Sequence, residues 1–202
     1  MAFSELADWS VFDERGRRKY LTNAERERFL RLADTMPDHK RALFYFLAFT
    51  GCRISEALNL RGFHIDQDRN VVAIMTLKRR KRHFRCLPIP SPVTQMLLKL
   101  PISMEARLWS IHRTTAWRWV KEAMLRTNTV GTCHSLRHSF GVWAAMSSAN
   151  PAFIQRWLGH SDIATTSIYL NICGQQEMEM AQRMWLVHSE RLGLREGKAG
   201  SI

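Results

Sequence analysis

The sequence predicts a mainly α-helical domain carrying one small β-hairpin, an α+β fold in which strands are the minor part. Three observations predict it. Apolar residues recur at helical spacing through most of the chain, with capping signals where the periodic stretches start and stop. Only two β-branched apolar runs break that pattern, Val71 to Leu77 and Phe84 to Ile89, and they flank a basic tip. Finally, 202 residues at 46% apolar content can bury one full core, and no internal repeat or low-complexity tract is present.

Residues 1–20 form a polar lead-in with Trp9, Phe12 and a basic cluster, Arg15, Arg17, Arg18 and Lys19. Two readings stand open for this arm: a flexible contact to DNA, or a segment packed by its two aromatic rings. Thr22-Asn23-Ala24-Glu25 has the spacing of a capping box, and the helix it opens places Phe29, Leu32, Ala33 and Met36 on one face. After Pro37, Ala42 to Phe49 is apolar almost all round, which predicts a central helix. Thr50-Gly51-Cys52-Arg53 ends it, and Ser55 with Glu56 begins the next, so Arg53 lies in a tight turn between two buried elements. The two β runs make a hairpin with Lys78-Arg79-Arg80-Lys81-Arg82-His83 at its tip. A charge run is usually a solvated face; in so basic a chain it reads better as a finger against a nucleic-acid backbone.

Ser91-Pro92 caps a helix carrying Val93, Met96, Leu97 and Leu100, closed by Pro101. The next helix, Arg113 to Leu125, turns Trp117, Val120 and Met124 inward and Arg118, Lys121 and Arg126 outward. Trp117 and Trp119 read as core or interface residues before base-stacking ones. A helix over His134–Ser147 buries Leu136, Phe140, Trp143 and Ala144, and its spacing puts His134 and Arg137 on one face near the N-terminal end. Asn150 as N-cap and Pro151 at the first helical position open another, with Phe153, Ile154, Trp157 and Leu158 inward and Gly159 as a left-handed stop. Ser161 caps a third short helix ending near Tyr169, and Gln175 to Arg191 forms the last, with Met178, Ala181, Trp185 and His188 on one side. The expected organisation is an arm over 1–20, one domain over 21–192 and a flexible tail over 193–202.

The balance of 30 Lys and Arg against 18 Asp and Glu leaves +12, with a pI near 10.3. Such a charge on a small domain favours a polyanionic partner, nucleic acid first and an acidic membrane surface second. No apolar run reaches the ~18 residues of a membrane span. Met1-Ala2-Phe3-Ser4-Glu5 lacks the basic leader and apolar core of a signal peptide. Cys52, Cys86, Cys133 and Cys173 lie far apart and read as reduced, mostly buried residues of a cytoplasmic protein, with no zinc site expected.

Two histidines, an arginine and a tyrosine on three helix ends suggest a phosphate site with a nucleophile, because helix N-termini offer free backbone donors and partial positive charge. With Arg53 and a hairpin lysine, the polar set is Arg53, Lys78, His134, Arg137, His160 and Tyr169. This set resembles the catalytic domain of the tyrosine recombinase (phage integrase) family. The resemblance is carried by Thr50-Gly51-Cys52-Arg53-Ile54-Ser55-Glu56-Ala57-Leu58, by Lys78, by His134-Ser135-Leu136-Arg137-His138-Ser139-Phe140, and by Leu158-Gly159-His160 with Tyr169 nine residues on. It spans about residues 20 to 170, in the family's order.

The resemblance implies the fold of that catalytic domain and an attack of Tyr169 on a DNA phosphodiester. The step gives a 3′-phosphotyrosine and a free 5′-hydroxyl, and a partner strand's hydroxyl reverses it without ATP or any cofactor. Arg53 and Arg137 would hold the non-bridging oxygens with bidentate hydrogen bonds, each worth roughly 2.7–4 kcal/mol of barrier by analogy with oxyanion donors. His160 would add another donor, and His134 would take the phenol's proton. The hairpin lysine protonates the leaving oxygen in this family; Lys78, directly after the strand, is the first choice and Lys81 the alternative. Glu56 matches an acidic position that braces the site, and His138 matches a structural position bonded within the core. Arg79, Arg80, Lys81, Arg82, Arg118 and Lys121 are the expected DNA contacts.

The implied partner is double-stranded DNA at specific recombination sites, bound by four protomers on two duplexes. The family's usual DNA-clamping domain, of roughly 100 residues, has no counterpart in the lead-in, so an accessory DNA-binding protein is a further expected partner. Three rivals are a DNA-binding regulator with a decayed site, a type IB topoisomerase-like strand transferase, and a metal-dependent nuclease, which needs clustered carboxylates that this sequence does not group with its histidines.

Overall fold

Chain punctuation sets the helices in the computed structural model, which describes residues 10–76, 83–100, 103–170 and 175–186. Thr22 caps α1 (Asn23–Asp34): its hydroxyl accepts the Glu25 amide at 3.2 Å, and Glu25 accepts the Thr22 amide at 2.8 Å. α2 (Asp38–Thr50) is the central helix, with Leu43, Phe44, Phe46 and Leu47 all but sealed from solvent. It stops at Gly51, whose φ of 58° is left-handed. A side chain there would be strained, and its Cβ would stand 2.8–2.9 Å from Phe140 and Leu158. That close approach seats α3 (Ile54–Ala57) and Arg53 beside the two helices that carry the rest of the site.

A 3₁₀ turn over Gly62–His64 leads into an antiparallel sheet ordered β1 (Ile65–Asp66), β2 (Val71–Thr76), β3 (His83–Pro88). In its register Ile65 faces Val72, Val71 faces Pro88 and Ile74 faces Arg85. β1 is an addition to the expected hairpin; two residues are too few to show an alternating pattern. The hairpin tip, with Lys78, Arg79, Arg80, Lys81 and Arg82, lies outside the described residues. Then follow α4 (Ser91–Leu98), α5 (Arg113–Arg126), α6 (Cys133–Met146), α7 (Pro151–Leu158), α8 (Ala164–Ser167) and α9 (Gln175–Leu186). α2 packs against α1, α4 and α6, and α6 against α7.

Several local expectations are corrected. Pro90, not Ser91, occupies the N-cap of α4. Ile163, not Ser161, stands at the N-cap of α8, and Asp162 before it accepts the Ala164 amide at 2.9 Å. Trp117, Trp143 and Phe153 are 43%, 40% and 45% exposed; on α5 Val120 and Met124 face inward as expected, joined by Ala116 and Ala123 and not by Trp117. All three rings sit on helices whose buried stripe is already filled by smaller residues. Cys52 and Cys133 are buried free thiols, but Cys86 is exposed on the outer face of β3; Cys173 lies outside the described residues.

The core has two parts. The larger surrounds α2 and takes in Ile74, Leu87, Val120 and Leu136. The smaller joins Val11, Phe140, Ile154, Leu158 and Tyr169, and Trp157 packs against both. Phe12 meets Tyr20 edge-on at 6.2 Å, and the Leu21 amide donates to Ser139 Oγ at 2.7 Å, which ties the lead-in to α6. The site lies along the seam between the two clusters.

Candidate active site

Arg137 is the centre of the seam. The cap of α6, where Thr132 Oγ1 accepts the His134 amide at 3.2 Å, fixes the turn that carries His134 and Arg137. Arg137 is only 7% exposed, and its two terminal nitrogens donate to the carbonyls of Gly51 and Leu158, each at 2.8 Å. One guanidinium therefore joins the turn before Arg53 to the helix end before His160. Arg53 is held by Glu56, whose carboxylate accepts both its backbone amide and its Nη1 at 2.9 Å.

Gly159, left-handed at φ 67°, ends α7 and swings His160 out. His160 Nδ1 pairs with Thr166 Oγ1 at 2.9 Å, which leaves Nε2 for another partner. Its ring lies nearly parallel to that of Tyr169, 14° apart with centroids at 6.3 Å. Tyr169 is 1% exposed, and its hydroxyl meets His138 Nδ1 at 3.2 Å. The expectation for His138 is thereby sharpened: its hydrogen bond goes to the nucleophile candidate and not to an unrelated core group. The Tyr169 ring rests on Gly141, where a Cβ would stand 2.5 Å from Cζ.

The site is strongly cationic and partly desolvated. Burial first, then the neighbouring charges of Arg137 and Arg53, push His160 down to about 3. Burial, helped by His134 and Arg137, takes His138 to about 4. His134 stands at the exposed rim, and partial desolvation with Arg137, Arg53 and Arg113 lowers it too. All three rings are therefore neutral at neutral pH. Burial raises the Tyr169 phenol, with Arg137 opposing, so its proton must be taken during any attack. Burial would raise the Glu56 carboxyl, but Arg85 and Arg53 outweigh it and hold Glu56 ionised. Burial pushes the Cys52 thiol up to about 12 and Cys133 up to about 11, so neither thiol is ionised at neutral pH.

The structure thus brings Arg53, Glu56, His134, Arg137, His138, His160 and Tyr169 to one seam. Arg118 is exposed on α5, whereas Lys121 is half-buried and its Nζ reaches the Gly131 carbonyl at 3.4 Å. Sequence reasoning missed Arg85. It lies on β3 in step with the buried Leu87, and that two-residue spacing was the available signal. A pocket of about 160 Å³ beside it is lined by Thr76, His83, Gln155, Arg156 and His160. Among the described residues, no three His, Cys, Asp or Glu side chains are grouped to hold a metal ion.

The profile of the phage integrase family matches residues 19–175. A tyrosine recombinase of Thermosipho africanus is 30% identical over 147 residues, 68% of this chain and 51% of the relative. Tyrosine recombinase XerA of Pyrococcus furiosus is 27% identical over 183 residues, 85% of this chain and 63% of the relative. The chain therefore spans between half and two thirds of the length of these relatives. Among solved structures, XerH in a post-cleavage complex on palindromic difH substrate superposes with a TM-score of 0.70 at 20% identity, over 87% of this chain and 62% of that one. The catalytic domain of bacteriophage HP1 integrase gives 0.62 at 24% identity, over 81% of this chain and 93% of that domain. With the profile covering most of the chain and the fold shared with such catalytic domains, the chain belongs to the phage integrase family and carries a tyrosine recombinase catalytic domain.

Proposed function

We propose that this domain cleaves and rejoins DNA strands at specific sites through a 3′-phosphotyrosine intermediate, as in integration, excision, inversion or resolution. One observation carries the reading: two arginines, a neutral histidine pair and a buried phenol meet on one seam, each held by a fixed hydrogen bond. Tyr169 Oη would attack the scissile phosphorus, the P–O5′ bond would break, and the phenol's proton would pass to His134. Lys78, with Lys81 as the alternative, would protonate the departing 5′-oxygen. Arg53, Arg137 and His160 would hold the non-bridging oxygens, where the transition state concentrates charge.

Duplex DNA is the proposed substrate. The +12 charge and the recombinases of this fold seen with DNA, such as XerH on difH, support it. Arg79, Arg80, Lys81, Arg82, Arg118 and Lys121 would follow the backbone. Assembly as four protomers on two duplexes suits α9, which leaves Met178, Met180, Met184 and Trp185 exposed for a neighbouring copy to cover. An accessory DNA-binding protein could supply the clamp. The test is Tyr169→Phe, which keeps the ring and removes the hydroxyl. It should bind duplex DNA like the parent and form no covalent adduct on a nicked suicide substrate; an adduct that persists would move the nucleophile elsewhere.

A further inference from the structure

Arg85 belongs to none of the expected roles, yet it is the most deeply sequestered of the ion-paired arginines among the described residues. Its side chain is 2% exposed, and Glu56, opposite it, is 0% exposed. Nη2 donates to Glu56 Oε2 at 2.7 Å and Nη1 to Oε1 at 3.4 Å. Nη1 also reaches Thr76 Oγ1 at 2.9 Å, and Nε donates to the Trp157 carbonyl at 2.8 Å. The guanidinium thus links both hairpin strands, the bracing carboxylate and the end of α7 just before His160. The absence of a side chain at Gly159 makes room for it, since a Cβ there would lie 2.9 Å from Arg85 Nη1.

Charge counting gives the arrangement its meaning. Glu56 alone with Arg53 would be a neutral pair, and the carboxylate would hold the Arg53 fork to itself. With Arg85 on the other side, the cluster of two guanidiniums and one carboxylate carries a net positive charge. Arg85 is the sequestered partner, whereas the Arg53 side chain stays 24% exposed, open towards a ligand. We propose that Arg85 is a positioning residue: it serves as the counter-ion of Glu56, so that the charge of Arg53 stays available to the scissile phosphate, and it fixes the helix end that aims His160. The proposal rests on the recombinase reading above.

The test compares Arg85→Met, which keeps bulk and removes charge, with Arg85→Lys, which keeps charge and loses the fork. Single-turnover adduct formation is measured on two nicked duplexes, one with an ordinary scissile phosphate and one with a neutral methylphosphonate there. On phosphate, Arg85→Met should lose about 100-fold, the scale of a disabled oxyanion donor. On the methylphosphonate, which presents no negative charge to balance, the loss should shrink below about tenfold. Arg85→Lys should fall between parent and Arg85→Met on phosphate, because the charge is retained. A merely structural residue would show equal losses on both substrates, and that result would overturn the proposal. If Arg85→Met does not fold, Arg85→Gln, which also removes the charge but keeps a hydrogen-bonding amide, decides: a smaller defect on the neutral substrate supports the role, and an equal one rejects it. If the parent itself forms no adduct on phosphate, the recombinase reading fails instead.

Discussion

Gly141 lies in the interior of α6, where glycine costs about 1 kcal/mol relative to alanine, and it gives the Tyr169 ring a floor. Gly141→Ala separates the two effects. A Cβ would meet Cζ, Cε1 and Cε2 of Tyr169 at 2.5, 2.7 and 2.7 Å, far inside ordinary contact. Relieving that overlap by shifting the ring costs about 1–3 kcal/mol. Breaking the 3.2 Å contact with His138 adds about 0.5–1.5 kcal/mol. Against the helix gain of about 1 kcal/mol, the variant should be less stable than the parent by about 0.5–3.5 kcal/mol in urea. Catalysis should move the other way. A phenol with 1% exposure cannot touch a phosphate arriving from solvent, so in the proposed reaction Tyr169 would have to leave this pocket before attacking. Each increment of about 1–2 kcal/mol by which the stored pose is raised should therefore speed single-turnover adduct formation by about five- to thirtyfold. The reasoning is refuted if Gly141→Ala is more stable by about 1 kcal/mol at an unchanged rate, the outcome of helix propensity alone.

Acid should weaken the fold through the histidines. His138 and His160, held neutral down to about 4 and about 3, bind fewer protons folded than unfolded once the pH drops below the ordinary 6.5. Their stability contribution is complete above 6.5 and is lost as pH falls towards those values. The urea midpoint should fall between pH 6.5 and 4.5, above the range of Glu56, and a flat midpoint there would contradict the assignment. Replacing the 5′-bridging oxygen of the scissile phosphate with sulfur removes the need for an acid. Lys78→Ala should then recover most of its lost cleavage rate, whereas Arg137→Ala should stay poor and Lys81→Ala should show a milder defect on both substrates; rescue of Lys81→Ala in place of Lys78→Ala would reverse the choice of lysine. Filter-binding affinity for duplex DNA should fall steeply with salt, log K changing by about 0.9 per phosphate neutralised. A shallow slope would mean that the +12 charge is not spent on DNA.

Local features were legible in the sequence where one residue type settles the backbone. The Thr22–Glu25 box, Asn150-Pro151, the break at Gly51 and the left-handed Gly159 all depend on neighbours within a few positions. Those signals also locate Arg53, Arg137 and His160, because each sits on or next to a helix end. Long-range pairing was not legible. Arg85 meets Glu56 across 29 residues and the Trp157 carbonyl across 72. A lone arginine in an apolar strand gives no hint of which buried carboxylate awaits it. The misplaced rings, Trp117 and Phe153, have a different cause. Periodicity marks a face, but only the packing of neighbouring helices decides how wide that face is.

The twin carbonyl bonds of Arg137 also bear on how this protein fails under heat. Gly51 and Leu158 belong to separate helix ends, and both carbonyls depend on the same side chain that the scissile phosphate would need. Many catalytic centres sit on loops that loosen several degrees before the scaffold melts. Here the group that would bind the phosphate is also a rivet of the scaffold, so local fraying has no separate route to the chemistry. Thermal inactivation and loss of helix structure become one cooperative event, and a substitution that stiffens the surroundings of α2 or α7 extends the working temperature of the site along with that of the fold.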